Sequence, residues 1–170
     1  SVVVGQGYNS FTLLQLAQAT SVLANNGVYM KPHLVRDLIN PINGDRQATV
    51  TEPSHVIPLK QANIDVVKKA LIDVTRSGTA RRAFANAAYQ AAGKTGTAQV
   101  FSLRGAKYNA SAIDERLRDH ALFMAYAPAD NPKIAIGLIV ENAGWGATIA
   151  APLARSVFDY WLVDRGHMYP

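Results

Sequence analysis

The sequence predicts an α+β fold, a mainly antiparallel sheet flanked by helices, and three observations carry that expectation. Two strand-rich runs, ALFMAYAP at 121–128 and KIAIGLIVEN at 133–142, are joined by the turn Asp130-Asn131-Pro132, the pattern of an antiparallel hairpin. Ile64, Val67, Leu71 and Val74 recur at helical spacing, as do Leu153, Val157 and Trp161 near the other end. Between 27 and 58 the chain breaks into short extended pieces separated by Gly, Pro and Asn. Strand pairs and helices in separate stretches, without a regular alternation, belong to the α+β class.

Taken in order, Thr12-Leu13-Leu14-Gln15 has the form of a capping box, and Gly27 suits the left-handed turn after a helix, so a helix is predicted over 13–25. Its mostly apolar composition predicts burial. VYMKPHLVRDLI, 28–39, reads as strand, and Asn40-Pro41-Ile42-Asn43-Gly44-Asp45 as a turn. A second helix is predicted over 58–76, with Pro58 in its first turn and Gly78 ending it. The stretch 102–119 is polar with charges of both signs, followed by the hairpin, the Gly-rich loop Asn142-Ala143-Gly144-Trp145-Gly146-Ala147, a last helix over 152–162 and a charged tail.

The chain has 170 residues, 49% of them hydrophobic, enough for one compact domain or a large part of one. No run approaches the ~18 apolar residues of a membrane span, and SVVVGQGYNS has no signal-peptide pattern. Cysteine is absent, which excludes disulfide and thiolate chemistry and fits a reducing cytoplasm and a periplasm equally. A net charge of +5 favours an anionic partner such as nucleic acid, anionic lipid or a carboxylate-bearing substrate. The basic residues are scattered, without the aromatic interleaving of a nucleic-acid surface, so no nucleic acid partner is expected. His33, His55, His120 and His167 share no metal spacing, and no metal or cofactor is expected. Asp114, Glu115 and Asp119, interleaved with Arg116 and Arg118, read as a solvated charged face.

The segment AAGKTGTAQVF, 91–101, puts a lysine and a threonine after a glycine, as a phosphate-binding loop does. That loop also requires an earlier glycine, and the position holds Ala88; it requires a helix next, and GTAQVF has no helical period. Lys94-Thr95-Gly96 is instead the K-T-G triplet of β-lactamases and penicillin-binding proteins. On a strand, Thr95, Thr97 and Gln99 share a face, and Gly96 removes a side chain that would block close approach. A carboxylate lying along the strand edge can then take hydrogen bonds from the threonine hydroxyls and charge from Lys94, while a strand amide stabilises a developing oxyanion. The bland alternative is a solvated edge lysine among ordinary strand threonines.

The surroundings of the triplet carry a resemblance. Gly5-Gln6-Gly7-Tyr8, Leu14-Gln15-Leu16-Ala17, Leu23-Ala24-Asn25-Asn26-Gly27, Pro32-His33-Leu34-Val35, Gly78-Thr79-Ala80, Gly93 to Gln99, Tyr126-Ala127-Pro128 and Val140-Glu141-Asn142 match, in order, the class B penicillin-binding proteins. Val100-Phe101, Tyr108-Asn109-Ala110 and Glu115 to His120 resemble the long connection after the K-T-G strand in the penicillin-binding protein 2 group, the transpeptidases of cell elongation. Leu13 departs from the group, which has proline after the threonine.

The resemblance implies the penicillin-binding transpeptidase/serine β-lactamase-like fold and serine acyl transfer on D-Ala-D-Ala stem peptides of peptidoglycan, with β-lactams as inhibitors. It implies that Lys94 completes the polar network of the cleft, that Thr95 and Thr97 hold the substrate carboxylate with Gly96 between them, that the Thr97 amide forms half the oxyanion hole, and that Gln99 lines the cleft. Implied partners are the N-terminal part of the same protein, peptidoglycan stem peptides, β-lactam antibiotics and cell-elongation membrane proteins. The implied location is the periplasmic face of the bacterial inner membrane, held by an N-terminal anchor outside this chain. None of Ser1, Ser10, Ser21, Ser54, Ser77, Ser102, Ser111 and Ser156 begins S-x-x-K or S-x-N. Residues 1–170 are therefore expected to be the C-terminal part of one D,D-transpeptidase domain, with the nucleophile in a part that this chain lacks. Two rivals share the triplet: a β-lactamase or carboxypeptidase with water as acceptor, and a non-catalytic penicillin-binding sensor.

Overall fold

The computed structural model describes residues 10–100 and 114–167. The first helix, α1 (Leu13–Ala24), begins as predicted: the Thr12 hydroxyl accepts from the Gln15 amide at 3.2 Å, and the Thr12 amide donates to Gln15 Oε1 at 2.8 Å. It ends in a Schellman turn. Gly27 N donates to the Val22 carbonyl at 2.8 Å, with Asn26 at φ 52° and Gly27 at φ 92°, so both residues take the left-handed conformation expected of the glycine alone. Burial of α1 is only partial, a correction to the expectation. Thr20, Val22 and Ala24 are buried, but Phe11, Leu13 and Leu14 are exposed, because the described residues cover one side of the helix and only its C-terminal half.

The 28–39 stretch is two strands rather than one. β1 (Val28–Met30) pairs antiparallel with β4 (Pro53–Val56), and β2 (Asp37–Ile39) with β3 (Arg46–Ala48). Pro32 interrupts the run, since it has no amide to donate to a ladder. The predicted turn at 40–45 closes the second hairpin, with Gly44 at φ 75° and Asn40 Oδ1 accepting from the Ile42 amide at 2.9 Å.

α2 (Gln61–Arg76) starts three residues after Pro58, with Lys60 as its N-cap. Its buried face holds Ile64 and Thr75, with Leu71 and Val74 half-buried; Val67 lies outward. Gly78 follows the helix as predicted. It is there for space, since a Cβ would come within 2.8 Å of Val74 Cα.

The main sheet has three antiparallel strands in the order β5 (Ala92–Ala98), β6 (His120–Ala127), β7 (Ile134–Val140). The last two form the predicted hairpin, joined after the cis Ala127-Pro128 peptide. α1 lies on one face of this sheet, against Gly137, where a Cβ would meet the Leu13 carbonyl oxygen at 3.0 Å and Ala17 N at 3.1 Å. α3 (Ala150–Phe158) lies on the opposite face and continues as a π-helical stretch, Asp159–Asp164. The main core sits between α3 and the sheet: Phe123, Phe158, Leu162, Phe84 and small alanines close over one another. Phe84 stacks on Phe123 with ring centroids 5.8 Å apart, and Tyr89 meets Phe158 edge-on at 6.1 Å.

α3 corrects the sequence reading twice. It begins at Ala150 rather than 152, because a proline in the first turn has no intrahelical donor to lose. Its buried face is Ala151, Ala154, Phe158 and Leu162, while Leu153, Val157 and Trp161 are exposed. Alanines let the helix approach the sheet closely, which a stripe of larger residues does not.

Candidate active site

The K-T-G triplet stands on β5, an outer strand. Among the described residues β5 pairs only with β6, in the register Lys94↔Met124, Thr95↔Phe123, Gly96↔Leu122, Thr97↔Ala121. Residues directly opposite across a ladder share a face. Thr95 and Thr97 therefore point to the α3 side with Phe123 and Ala121, and Lys94 points to the α1 side with Met124. A molecule that meets both the lysine and the threonines has to lie along the open edge of β5.

A cavity of about 480 Å³ reaches from β5 across the sheet toward α1, lined by Lys94 to Ala98 of β5, by Leu122, Met124, Leu138 and Ile139 of β6 and β7, and by Phe11 and Leu16 at the start of α1. Lys94 is exposed, and its Nζ donates to the Thr95 carbonyl oxygen at 2.6 Å. Thr95 and Thr97 are half-buried. No helix follows the lysine, so the strand context expected in place of a phosphate loop is present. The strand stops at Ala98; Gln99 lies just past it and is exposed, outside the alternation that the sequence assigned to it.

Two neighbours hold β5 in place, and neither was given a role from sequence. Thr79, on the turn after α2, has its hydroxyl oxygen 3.0 Å from that of Thr95. Gly146, in the Gly-rich loop before α3, lies flat on the sheet, where a Cβ would overlap the Gly96 and Leu122 carbonyl oxygens. The pairing of glycines in that loop was visible in the sequence, but its contact with β5, fifty residues away, was not. Trp145, beside it, is exposed by 57%.

The far end of β5 is held by polar groups on the hairpin. Asp119 is buried at 5% exposure and accepts from the Val100 amide at 3.4 Å, which corrects the reading of Asp119 as part of a solvated face. Glu115 does lie in solvent, while Asp114 caps a short 3-10 turn through the Arg116 amide. Asn142, at φ 53°, donates its backbone amide to His120 Nδ1 at 2.9 Å and its side-chain amide to the carbonyls of Arg116 and Arg118. His55 stacks on Tyr29 and His167 on Trp161. No group of three metal-binding side chains occurs among the described residues. The Gly5-Gln6-Gly7-Tyr8 segment and most of the 102–119 connection lie outside the described residues.

The family model of the penicillin binding protein transpeptidase domain matches residues 1–159. The chain is 46% identical over 168 residues to peptidoglycan D,D-transpeptidase MrdA of Haemophilus influenzae, covering 97% of this chain and 26% of that protein. It is 47% identical over 169 residues to the MrdA of Acinetobacter baumannii, covering 97% and 24%. The chain thus spans about a quarter of the length of these curated relatives. Among solved structures, PBP2 of Pseudomonas aeruginosa in complex with WCK 5153 superposes with TM-score 0.76 at 40% identity, over 95% of this chain and 32% of that one. The ceftriaxone acyl-enzyme of penicillin-binding protein A from M. tuberculosis superposes with TM-score 0.74 at 27% identity, over 91% and 33%.

Proposed function

This chain belongs to the penicillin-binding protein transpeptidase family, and from that premise we propose that it is the C-terminal part of a peptidoglycan D,D-transpeptidase domain of the penicillin-binding protein 2 kind. It has that family's α+β fold. The nucleophile-bearing part belongs to the remainder of the protein, a reading supported by the lack of S-x-x-K and S-x-N in these residues and by their quarter share of the relatives' length. The observation that carries the proposal is Lys94-Thr95-Gly96-Thr97 on an outer strand beside a cavity.

In this reading a serine of the missing part gives up its proton and attacks the carbonyl carbon of a D-Ala-D-Ala stem peptide. The bond to the terminal D-alanine breaks, its nitrogen takes a proton, and an acyl ester remains. The amine of a second stem then attacks the ester, forms the cross-link and restores the serine. The Lys94 ammonium sets a positive potential at the strand edge, where the terminal carboxylate binds. The hydroxyls of Thr95 and Thr97 orient that carboxylate from the other face, Gly96 lets the peptide approach the backbone, and Gln99 lines the rim beyond. The Thr97 amide donates to the carbonyl oxygen as it gains charge, and such a donor contributes most when it is fixed before reaction. Thr79 and Gly146 supply that fixity by gripping the strand. β-Lactams acylate the same serine and are released slowly. The protein acts at the periplasmic face of the inner membrane, anchored by its N-terminal part, with cell-elongation membrane proteins as partners.

The test uses the full-length protein and a fluorescent penicillin. Lys94→Ala should lower the second-order acylation rate by about 100-fold or more at unchanged thermal midpoint. Equal acylation of the variant and the parent would remove Lys94 from the site. Acylation followed by hydrolysis within seconds would move the protein to the hydrolases.

A further inference from the structure

The loop that leaves β7 crosses the start of β6 before it reaches β5, and it is pinned at every second residue. Asn142 donates its backbone amide to His120 Nδ1 at 2.9 Å, and its side-chain amide to the carbonyls of Arg116 and Arg118 at 2.9 and 3.1 Å. Gly144 donates to the Asp119 carbonyl at 2.8 Å, and Gly146 lies over Gly96 and Leu122. Gly144 and Gly146 are buried, while Trp145 between them is exposed. At φ 53° Asn142 takes the left-handed conformation, which asparagine adopts more readily than most residues, so the chain turns at the point where both of its amides are engaged.

The partners of this loop also hold β5. His120 pairs with Ala98 across the ladder, one position from the Thr97↔Ala121 pair. Asp119 accepts from the Gly144 amide through its carbonyl and from the Val100 amide through its side chain, which ties the chain leaving β5 to the loop. Thr97 therefore lies between two anchored points, Gly96 beneath Gly146 and Val100 on Asp119. A backbone amide held on both sides keeps one direction, the condition for a donor that is fixed before reaction.

We infer that Asn142 and His120 are positioning residues for the acylation step: they set the course of the 142–146 loop, and through Gly146 and Asp119 they aim the Thr97 amide at the reacting carbonyl oxygen. This rests on the transpeptidase reading and goes beyond it, since it gives a role in the reaction to two residues outside the cavity that Lys94 lines. Without them the carboxylate contacts of Lys94, Thr95 and Thr97 still bind the substrate, but the oxyanion donor is misaimed. The loss then falls on the chemical step rather than on binding. His120 must carry its proton on Nε2, because Nδ1 is engaged as an acceptor.

The experiment uses the full-length protein and a fluorescent penicillin, and separates the dissociation constant of the initial complex from the first-order rate of acylation, both measured well below the thermal midpoint. Asn142→Gly keeps the left-handed turn and removes the two side-chain donors. It should lower the acylation rate about tenfold at a nearly unchanged dissociation constant. His120→Phe, which has no acceptor, should do the same, whereas His120→Asn, which returns an oxygen near the Nδ1 position, should restore most of the rate. A lowered thermal midpoint with the acylation rate unchanged overturns the proposal, as does an asparagine variant no better than the phenylalanine one. Should the variants fail to fold, NMR of labelled histidine in the parent at neutral pH still decides: a His120 ring with Nδ1 unprotonated supports the contact, and a proton on Nδ1 overturns it. If the parent is acylated and the variants match it, only the positioning role falls; if the parent is not acylated, the transpeptidase reading falls with it.

Discussion

The Tyr126 hydroxyl lies fully buried in β6 with no hydrogen-bond partner among the described residues. Burial raises its pKa, since the ionised phenolate would be stranded in apolar surroundings beside Ala24 and Ala92. A buried hydroxyl without a partner costs about 1–3 kcal/mol relative to water. Tyr126→Phe should therefore stabilise the fold by about 1 kcal/mol, read as a higher urea midpoint at unchanged slope. A lower midpoint would show that the oxygen does hold a partner. Tyr89 is the contrasting case. Its pKa is also raised, first by burial, but its hydroxyl donates to Asp159 at 2.8 Å, and Arg155 lies over the ring and on the same carboxylate. Neither environment was legible in the sequence, where both residues are tyrosines in apolar runs. The partner of Tyr89 is seventy residues away, and Tyr126 has none among the described residues.

At the scale of elements, the β2–β3 hairpin depends on one carboxylate. Asp37 is bonded by Arg46 across the ladder and by Arg36 beside it, and these guanidinium groups, Arg46 first, hold its carboxyl below the usual value of 3.8. The native pKa lies below the unfolded one, so the stabilisation is fully present above about pH 4 and is lost as the pH falls through the lowered native value. Hydrogen-exchange protection of the Asn40 and Asp45 amides should drop in acid. Asp37→Asn should show that drop already at neutral pH; equal protection in both proteins at pH 7 would refute the role. Element existence was legible from periodicity and capping, and α1 illustrates how far this reaches. Thr12 and Gln15 announce its start because a capping box is a local arrangement, closed within four residues. Which face an element buries is not local. In α3 the sequence period pointed to Leu153, Val157 and Trp161, while packing chose the alanine face because it lets the helix come closer to Phe123.

For the molecule as a whole, the described residues include a three-stranded sheet with helices on both faces and a K-T-G strand that pairs, among the described residues, with β6 alone. Phe11, an exposed apolar residue before α1, lines the cavity that Lys94 lines, while the exposed Leu14 and Leu59 line a separate apolar cavity beside α1. If, as proposed, this chain carries the strand half of a two-part site, the 170 residues alone should take up no fluorescent penicillin on a denaturing gel, while the full-length protein is labelled. Labelling of the isolated chain would place a nucleophile within it and overturn the division.

By itself the sequence determined the class of the fold, the start of α1, the hairpin of β6 and β7, and the triplet at 94–96, because each is written in neighbouring residues through capping, alternation or motif. Only the tertiary structure decided that the K-T-G strand is an outer strand with its threonine face toward α3 and Lys94 toward α1, that Thr79 and Gly146 grip that strand, and that Asp119 is buried. These are contacts between residues far apart in the chain, set by how helices and sheet close over a shared core, and no local pattern records them.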